Sequence, residues 1–388
     1  MAANKVVVVP LWTKTKIKNV ITVAKSGGQF SNPVAAMASI TNAGSNNPYL
    51  IVIGPGHYTL NQQLVMKDHV TIVGSGREAT FLHGSISGAD FASGALVVGG
   101  VYCSMSNLAI ENKFGSSIYS IGIYLGKGAF TLEAVDIDVW GGTARNIGIV
   151  NRGYSPHLDN LDIRIDGGEK AYGIYSDHSY ARVSNTKIVA RHGDVDTYGI
   201  ASINSSSLLI TDTVITASAH SNATHAIYEK DSNSRIRNVI AEAYFGQYCR
   251  GVYTYHSTTT ISNCEITARN GSNQNVGILD TAYSAISLIN VQASAPAGAA
   301  CYGMLNSSAS RATVENSVLA GKDHGVSINS ASTRIINTRI DGGVVNNPTG
   351  KQCRGTYTRD LADVNCGESH PLPDLPGNQR REYCRAGG

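Results

Sequence analysis

Two columns of residues that return in step, with no helical pattern between them, predict an all-β chain wound into a single-stranded parallel β-helix. The first column is an Asn set inside a short apolar strand: Asn107, Asn160, Asn185, Asn238, Asn263, Asn290, Asn316 and Asn337, with Ala134 and Asp212 in the two remaining places. Its successive spacings are 27, 26, 25, 27, 26, 25, 27, 26 and 21 residues. The second column is a Gly followed by an aliphatic residue: Gly122-Ile123, Gly148-Ile149, Gly173-Ile174, Gly199-Ile200, Gly251-Val252, Gly277-Ile278, Gly303-Met304 and Gly325-Val326, with Ala226-Ile227 in the same phase. Between the columns lie short runs of period-two alternation broken by Gly, Ser, Asn and Asp, the pattern of strands and turns. Parallel strands ordinarily need a long, usually helical, crossover. A coil of about 25 residues removes that need, because each strand lies on its own copy one turn earlier, at a spacing of about 4.8 Å.

Both columns have a structural mechanism. An Asn at a sharp turn satisfies local backbone groups and tolerates left-handed geometry. Stacked on its copies, its amide bonds those above and below. A recurring Gly marks a second corner or a place with no room for a side chain.

The elements follow in order. Residues 1–19 are an N-terminal extension. Met1-Ala2-Ala3-Asn4 ahead of Lys5-Val6-Val7-Val8-Val9 reads as the start of an exported chain whose signal peptide has been removed, with an initiator Met added. The expected location is therefore outside the cell or on its surface. Residues 20–104 are an N-terminal cap and the first turns of the coil. Val20–Val23 is a strand, Asn32-Pro33 an N-cap and first helical position, and Val34, Met37 and Ile40 one face of a short helix that plugs the end of the core. Strands follow at Tyr49–Ile53 and Val70–Val73. Residues 105–343 are the regular repeats. Residues 344–388, rich in Pro, Gly and charge, are an irregular cap and tail.

The order "ITVAKSGGQFSNPVAAMASI … YLIVIGPGHYTL … VTIVGSG" over about residues 20–84 resembles the opening turns of pectin-lyase-like proteins, pectin methylesterases especially. That resemblance implies a right-handed parallel β-helix. The whole chain further resembles uncharacterised secreted bacterial β-helix-repeat proteins, through "AANKVVVVPL", the "YGIY" and "SNxxI" rungs and the tail "KQCRGTYTRDLADVNC"; no reaction comes with it. The methylesterase strand motif of Asp, aromatic, hydrophobic, aromatic, Gly is absent. Of the polygalacturonase signatures only Arg191-His192-Gly193-Asp194-Val195-Asp196 comes near. Neither activity carries over.

Charged residues make up 15% of the chain and the net charge is +3, too mild for a nucleic-acid partner. No membrane span is present. Of seven cysteines, Cys264 is expected to face the core. Cys249 and Cys301 share a column two rungs apart, roughly 10 Å, beyond disulfide reach. Cys353 and Cys366 in the tail are the disulfide candidates.

The Asn column also places the candidate chemistry. Residues one and three after each Asn are aliphatic or small and face in, so residues two and four face out. Asp136 and Asp162 are then stacked neighbours about 5 Å apart, with Asp138, Arg164 and Lys187 around them. Three readings stay open. The three carboxylates could hold Ca²⁺, the one cofactor candidate, so that Arg164 or Lys187 removes a proton in a lyase reaction. Carboxylates about 5 Å apart fit a retaining glycosidase. Or the group is a solvated ion-pair network.

A second outward column lies two residues after each Gly. It carries Tyr124, Tyr175, Tyr228 and Tyr253 among aliphatic residues, and it is expected to be an exposed stripe. Trp140 and Tyr248 lie in the flanking loops. The first functional expectation is an exported, non-enzymatic protein using these aromatics to bind polysaccharide or a cell-surface component, or to self-associate. The second is a polysaccharide lyase or glycoside hydrolase acting on an acidic glycan through the outer-face carboxylates.

Overall fold

The structure, a computed structural model, describes residues 19–346 except 221, 308 and 329–331, together with 352–360 and 364. About 12 turns of roughly 26 residues wind into a parallel β-solenoid that is only 2% helical. The strands fall into two sheets, of 19 and 12 strands among the described residues. The larger carries the Asn column. Its strand His157–Asp166 pairs with Phe130–Trp140 on one side and with Arg182–Ser184 and Lys187–Gly193 on the other. The smaller carries the Gly column, with Lys170–Asp177 between Arg145–Arg152 and Asp196–Ile203.

The Asn column is a bend inside the larger sheet. All ten of its residues have φ between 46° and 56°, the left-handed region that a short amide side chain tolerates best. Strand pairing skips them: Glu133 pairs with Asp159 and Val135 with Leu161, leaving Ala134 and Asn160 at the corner. The amides form a ladder, Asn238 donating to Asp212 at 2.9 Å, Asn263 to Asn238 at 3.4 Å and Asn290 to Asn263 at 2.9 Å. At the Gly column the chain touches its neighbouring turn. A Cβ on Gly148 would stand 2.6 Å from both the Gly173 carbonyl oxygen and Ile163 Cγ2.

One continuous apolar core fills the coil. Ile123, Ile149, Ile174, Ile200 and Ile227 on the smaller sheet face Ile137, Ile163, Ile188 and Ile215 on the larger. Beside it runs an interior column that is polar: Asn151, Ser176, Ser202, Glu229, Thr254, Asp280 and Asn306 stack rung on rung and are fully buried. Asp280 accepts from Thr254 and from Asn306 at 2.7 Å each, and Glu229 accepts from Ser234 at 2.8 Å. The alternation of inward and outward residues reads such positions as apolar, so this column was not legible from pattern alone.

The N-terminal helix spans Pro33–Ser39, capped by the Asn32 side chain, with Pro33, Ala36 and Met37 buried on the end of the core. Cys103, Cys249, Cys264 and Cys301 are buried free thiols, Cys249 and Cys301 in one column with Asn275 between them. Cys353 is disulfide-bonded; its expected partner Cys366 lies outside the described residues. Among the described residues no helix is long and apolar enough to cross a membrane.

Candidate functional site

After each Asn corner the strand turns its second and fourth residues outward, and parallel register stacks them into two columns. The first runs His57, Phe81, Ala109, Asp136, Asp162, Lys187; the second runs Thr59, His83, Glu111, Asp138, Arg164, Val189. Asp136 and Asp162 are thus direct neighbours, with Lys187 on the next rung and Asp138 beside Arg164, as the spacing predicts. Ala109, on the rung between Phe81 and Asp136, is buried.

Two of the cations came from outside that prediction. Arg77, in the turn before the strand Thr80–Gly84, brings Nη1 to 3.2 Å from Asp136 Oδ1, and its Nη2 donates to the Asn160 carbonyl. Lys113 stands 2.8 Å from Asp138 Oδ2 and 3.3 Å from Glu111 Oε1. Arg164 donates to Asp162 Oδ2 at 2.6 Å. Lys187 is exposed and makes no ion pair among the described residues.

Asp136 Oδ1 and Asp162 Oδ1 are both shielded from solvent and form no hydrogen bond. Arg77 is within ion-pair distance of the first but out of line for a hydrogen bond, so its attraction to Asp136 is largely through charge. Burial raises the Asp136 pKa; Arg77 pulls it back, Asp162 pushes it up again, and Arg164 lowers it. The result is a carboxyl that takes up a proton more readily than an ordinary Asp.

The N-terminal end of the site is aromatic. His57 stacks on Phe81 at 4.5 Å and on His83 at 4.8 Å. His83 Nδ1 is 2.5 Å from Glu111 Oε2, and His57 Nδ1 is 2.6 Å from His83 Nε2. Glu111, His83 and His57 thus form one chain of short polar contacts. A cleft of about 460 Å³ opens here, lined by Asn61, His83, Glu111, Lys113 and Phe114 among others. Phe114 forms its rim, 70% exposed, edge-on to Trp140 at 4.2 Å. Its φ is 63°, at a corner that the next two turns fill with Gly141 and Gly167. A bulky residue held in that region carries strain, which here presents an aromatic face to solvent.

Each of the three acids offered as Ca²⁺ ligands has a cation beside it: Arg77 at Asp136, Lys113 at Asp138 and Arg164 at Asp162. Among the described residues no group of three or more His, Cys, Asp or Glu is arranged to hold a metal ion.

The tyrosine column faces outward as expected but is not an exposed stripe. Tyr124, Tyr175, Tyr228 and Tyr253 are half-buried, and Val150 and Ala201 between them are buried. A second outward column one residue before each Gly, including Ile121, Ile147, Tyr172, Tyr198 and His225, packs sideways against it. Phe91 adds a further cover, 5.3 Å from both Tyr119 and Tyr175. Trp140 and Tyr248 lie at strand ends rather than in loops; Tyr248 is covered by the Arg250 guanidinium at 5.3 Å.

The His57–His83 pair was missed, although its spacing of 26 residues is one turn of the repeat. Arg77 had no comparable signal, because it reaches across several rungs.

No family model matches the chain, and no curated protein does. Solved structures do. The A-module of mannuronan C-5 epimerase AlgE6 from Azotobacter vinelandii is similar with a TM-score of 0.55 at 15% identity, over 84% of this chain and 93% of that one. The catalytic domain of a GH87 α-1,3-glucanase gives 0.47 at 12% identity, over 93% and 71%. Pectin methylesterase PemA from Erwinia chrysanthemi gives 0.41 at 13%, over 63% and 90%. The likeness to the epimerase module, together with the winding itself, gives the chain a right-handed parallel β-helix fold. At these identities the likeness is one of fold, and function has to be argued from the site.

Proposed function

We propose that this protein is an enzyme that cleaves an acidic polysaccharide on the outer face of the larger sheet, with Asp136 and Asp162 as its working carboxylates. The observation that carries the reading is the stacked pair itself: two carboxylates on adjacent rungs, each with a shielded and unbonded Oδ1, one of them biased toward its protonated form. The rung spacing of about 4.8 Å is close to the separation used by retaining glycosidases. Asp136 donates its proton to the leaving glycosidic oxygen. Asp162, its charge paired with Arg164, attacks the anomeric carbon to give a glycosyl ester. Water then hydrolyses that ester while Asp136 takes the water's proton back. Arg77, Lys113, Arg164 and Lys187 around the pair suit a negatively charged chain, and the exposed Phe114 face suits a sugar ring. Solved proteins of this fold include ones named for mannuronan, pectin and α-1,3-glucan.

Lys187 favours a second reading. It stacks on Asp162 and is free of any ion pair among the described residues, which supports a role as the base of a β-elimination. Incubation with pectin, mannuronan and a neutral glucan distinguishes the two. New reducing ends without ultraviolet absorbance mean hydrolysis, and absorbing unsaturated ends mean elimination. Asp136→Asn and Asp162→Asn are each expected to lower the rate by about 10²–10⁴-fold. Lack of cleavage of every charged glycan would return the protein to a non-enzymatic binding or structural role; full activity in both variants would move the chemistry away from this carboxylate pair.

A further inference from the structure

On the outer face of the smaller sheet, the cation Arg250 forms no ion pair among the described residues. Register stacks Tyr172, Tyr198, His225 and Arg250 in one column. The Tyr198 ring lies on His225 at 5.1 Å, and Tyr228 and Tyr253 each approach it at 5.5 Å. Enclosed this way, His225 is only 3% exposed. The Arg250 guanidinium lies over Tyr253 at 4.9 Å, with Nη1 3.5 Å from His225 Nε2.

Two nitrogens here are shielded and bond nothing: His225 Nδ1 and Arg250 Nε. Burial first, then the charges of Arg250 and Lys170, hold the His225 pKa well below its usual value. The ring is therefore neutral. With Arg250 donating on the Nε2 side, its proton sits on Nδ1, and both unbonded atoms are donors. The nearby carboxylates do not answer them. Asp196 is taken by Lys170 at 2.8 Å and by the Tyr198 hydroxyl at 3.2 Å. Glu229 opens into the interior, onto Ser234. A half-buried guanidinium whose Nε is shielded and unbonded is costly unless an anion completes it, and its planar fork matches an oxyanion.

We propose that Arg250, with His225 and the hydroxyls of Tyr228 and Tyr253, is an oxyanion-binding site for a carboxylate, sulfate or phosphate group, free or carried on a sugar. It lies on the other sheet from Asp136 and Asp162 and does not depend on their chemistry.

The test uses the full chain, titrated with sodium sulfate, sodium phosphate, galacturonate and a galacturonate oligomer against sodium chloride at matched ionic strength, read by Tm and by calorimetry. A saturable rise in Tm with an oxyanion but not with chloride is expected. A response confined to galacturonate and its oligomer assigns the group to a sugar; an equal response to the inorganic ions assigns a free anion. Arg250→Gln is expected to weaken binding by about tenfold or more, since it removes a charge-assisted pair. Tyr253→Phe tests one hydroxyl with little change in packing. Should Arg250→Gln fail to fold, Arg250→Lys keeps the charge, loses the fork, and is expected to bind more weakly than the wild type. The site is refuted by no saturable response in the wild type, or by folded Arg250 variants that bind as the wild type does.

Discussion

Glu229 shows what one residue does when the repeat sends it inward. It is fully buried, and burial pushes its pKa up from 4.5 to about 8 against the pull of Ser234 and Ser202. Its Oε2 accepts from Ser234, while Oε1 stands beside Ser202 without a formed hydrogen bond. An acid whose folded pKa lies above its unfolded value binds more protons folded than unfolded. Stability is then greatest below pH 4.5, falls as the pH rises toward 8, and levels off beyond. Asp280, pushed up to about 7 by burial, adds a slope of the same sign. Glu229→Gln keeps the contact to Ser234 and removes the charge. It is expected to raise the urea midpoint at pH 9, leave it nearly unchanged at pH 4.5, and remove part of the pH dependence; Asp280→Asn removes a further part. Urea titrations at pH 4.5, 7 and 9 measure this, and an undiminished slope in the double variant would mean that both carboxyls ionise freely in the fold. Neither residue was legible as buried, because a strand pattern assigns inward positions to apolar side chains and cannot say which polar ones find partners on the next rung.

At the scale of the element, the Asn corner is the unit that was read most fully from sequence. Its spacing gave the turns, the sense of every outward residue and the neighbours Asp136 and Asp162. Ala134 occupies this corner with φ 53° and no side chain to join the amide ladder. Left-handed geometry costs a residue with a Cβ roughly 1–2 kcal/mol, and Asn less. Ala134→Asn is therefore expected to stabilise the fold by about 1 kcal/mol, read as a higher urea midpoint with an unchanged slope. Asn160→Ala is the reverse experiment. Equal stabilities for Ala and Asn at both sites would mean that the column serves only spacing. The smaller sheet was read less well. The Gly column marked a place with no room for a side chain, as the contacts at Gly148 show, but one outward column was assigned where two lie side by side, Tyr172 and Tyr198 beside Tyr175 and Tyr228. Mutual packing of the two turned a supposed exposed stripe into a half-buried aromatic layer.

For the whole molecule, the repeat means that each turn touches mainly the turns before and after it, so stability is close to a sum over turns and their interfaces. Excising one full period should therefore be tolerated where excising half is not. Residues 212–237 are one turn: removing them joins Thr211 to Asn238, so that an Asn-column residue again follows Thr211 and Val239 takes the place of Thr213 on the turn below. Lys187 then meets Ile240 in place of Val214, and Asp136, Asp162, Arg77 and Arg164 keep every neighbour they have. The shortened chain is expected to fold, to retain β-sheet circular dichroism and any Asp162-dependent cleavage, and to lose the oxyanion response, since His225 and Tyr228 go with the excised turn. Removal of residues 212–224, half a turn, brings the second corner where the first belongs and sends inward side chains out; that chain is expected not to fold. If both deletions unfold alike, the turns are not interchangeable units, and contacts that span several rungs, such as Arg77 to Asp136 and Asn160, hold the rod together instead.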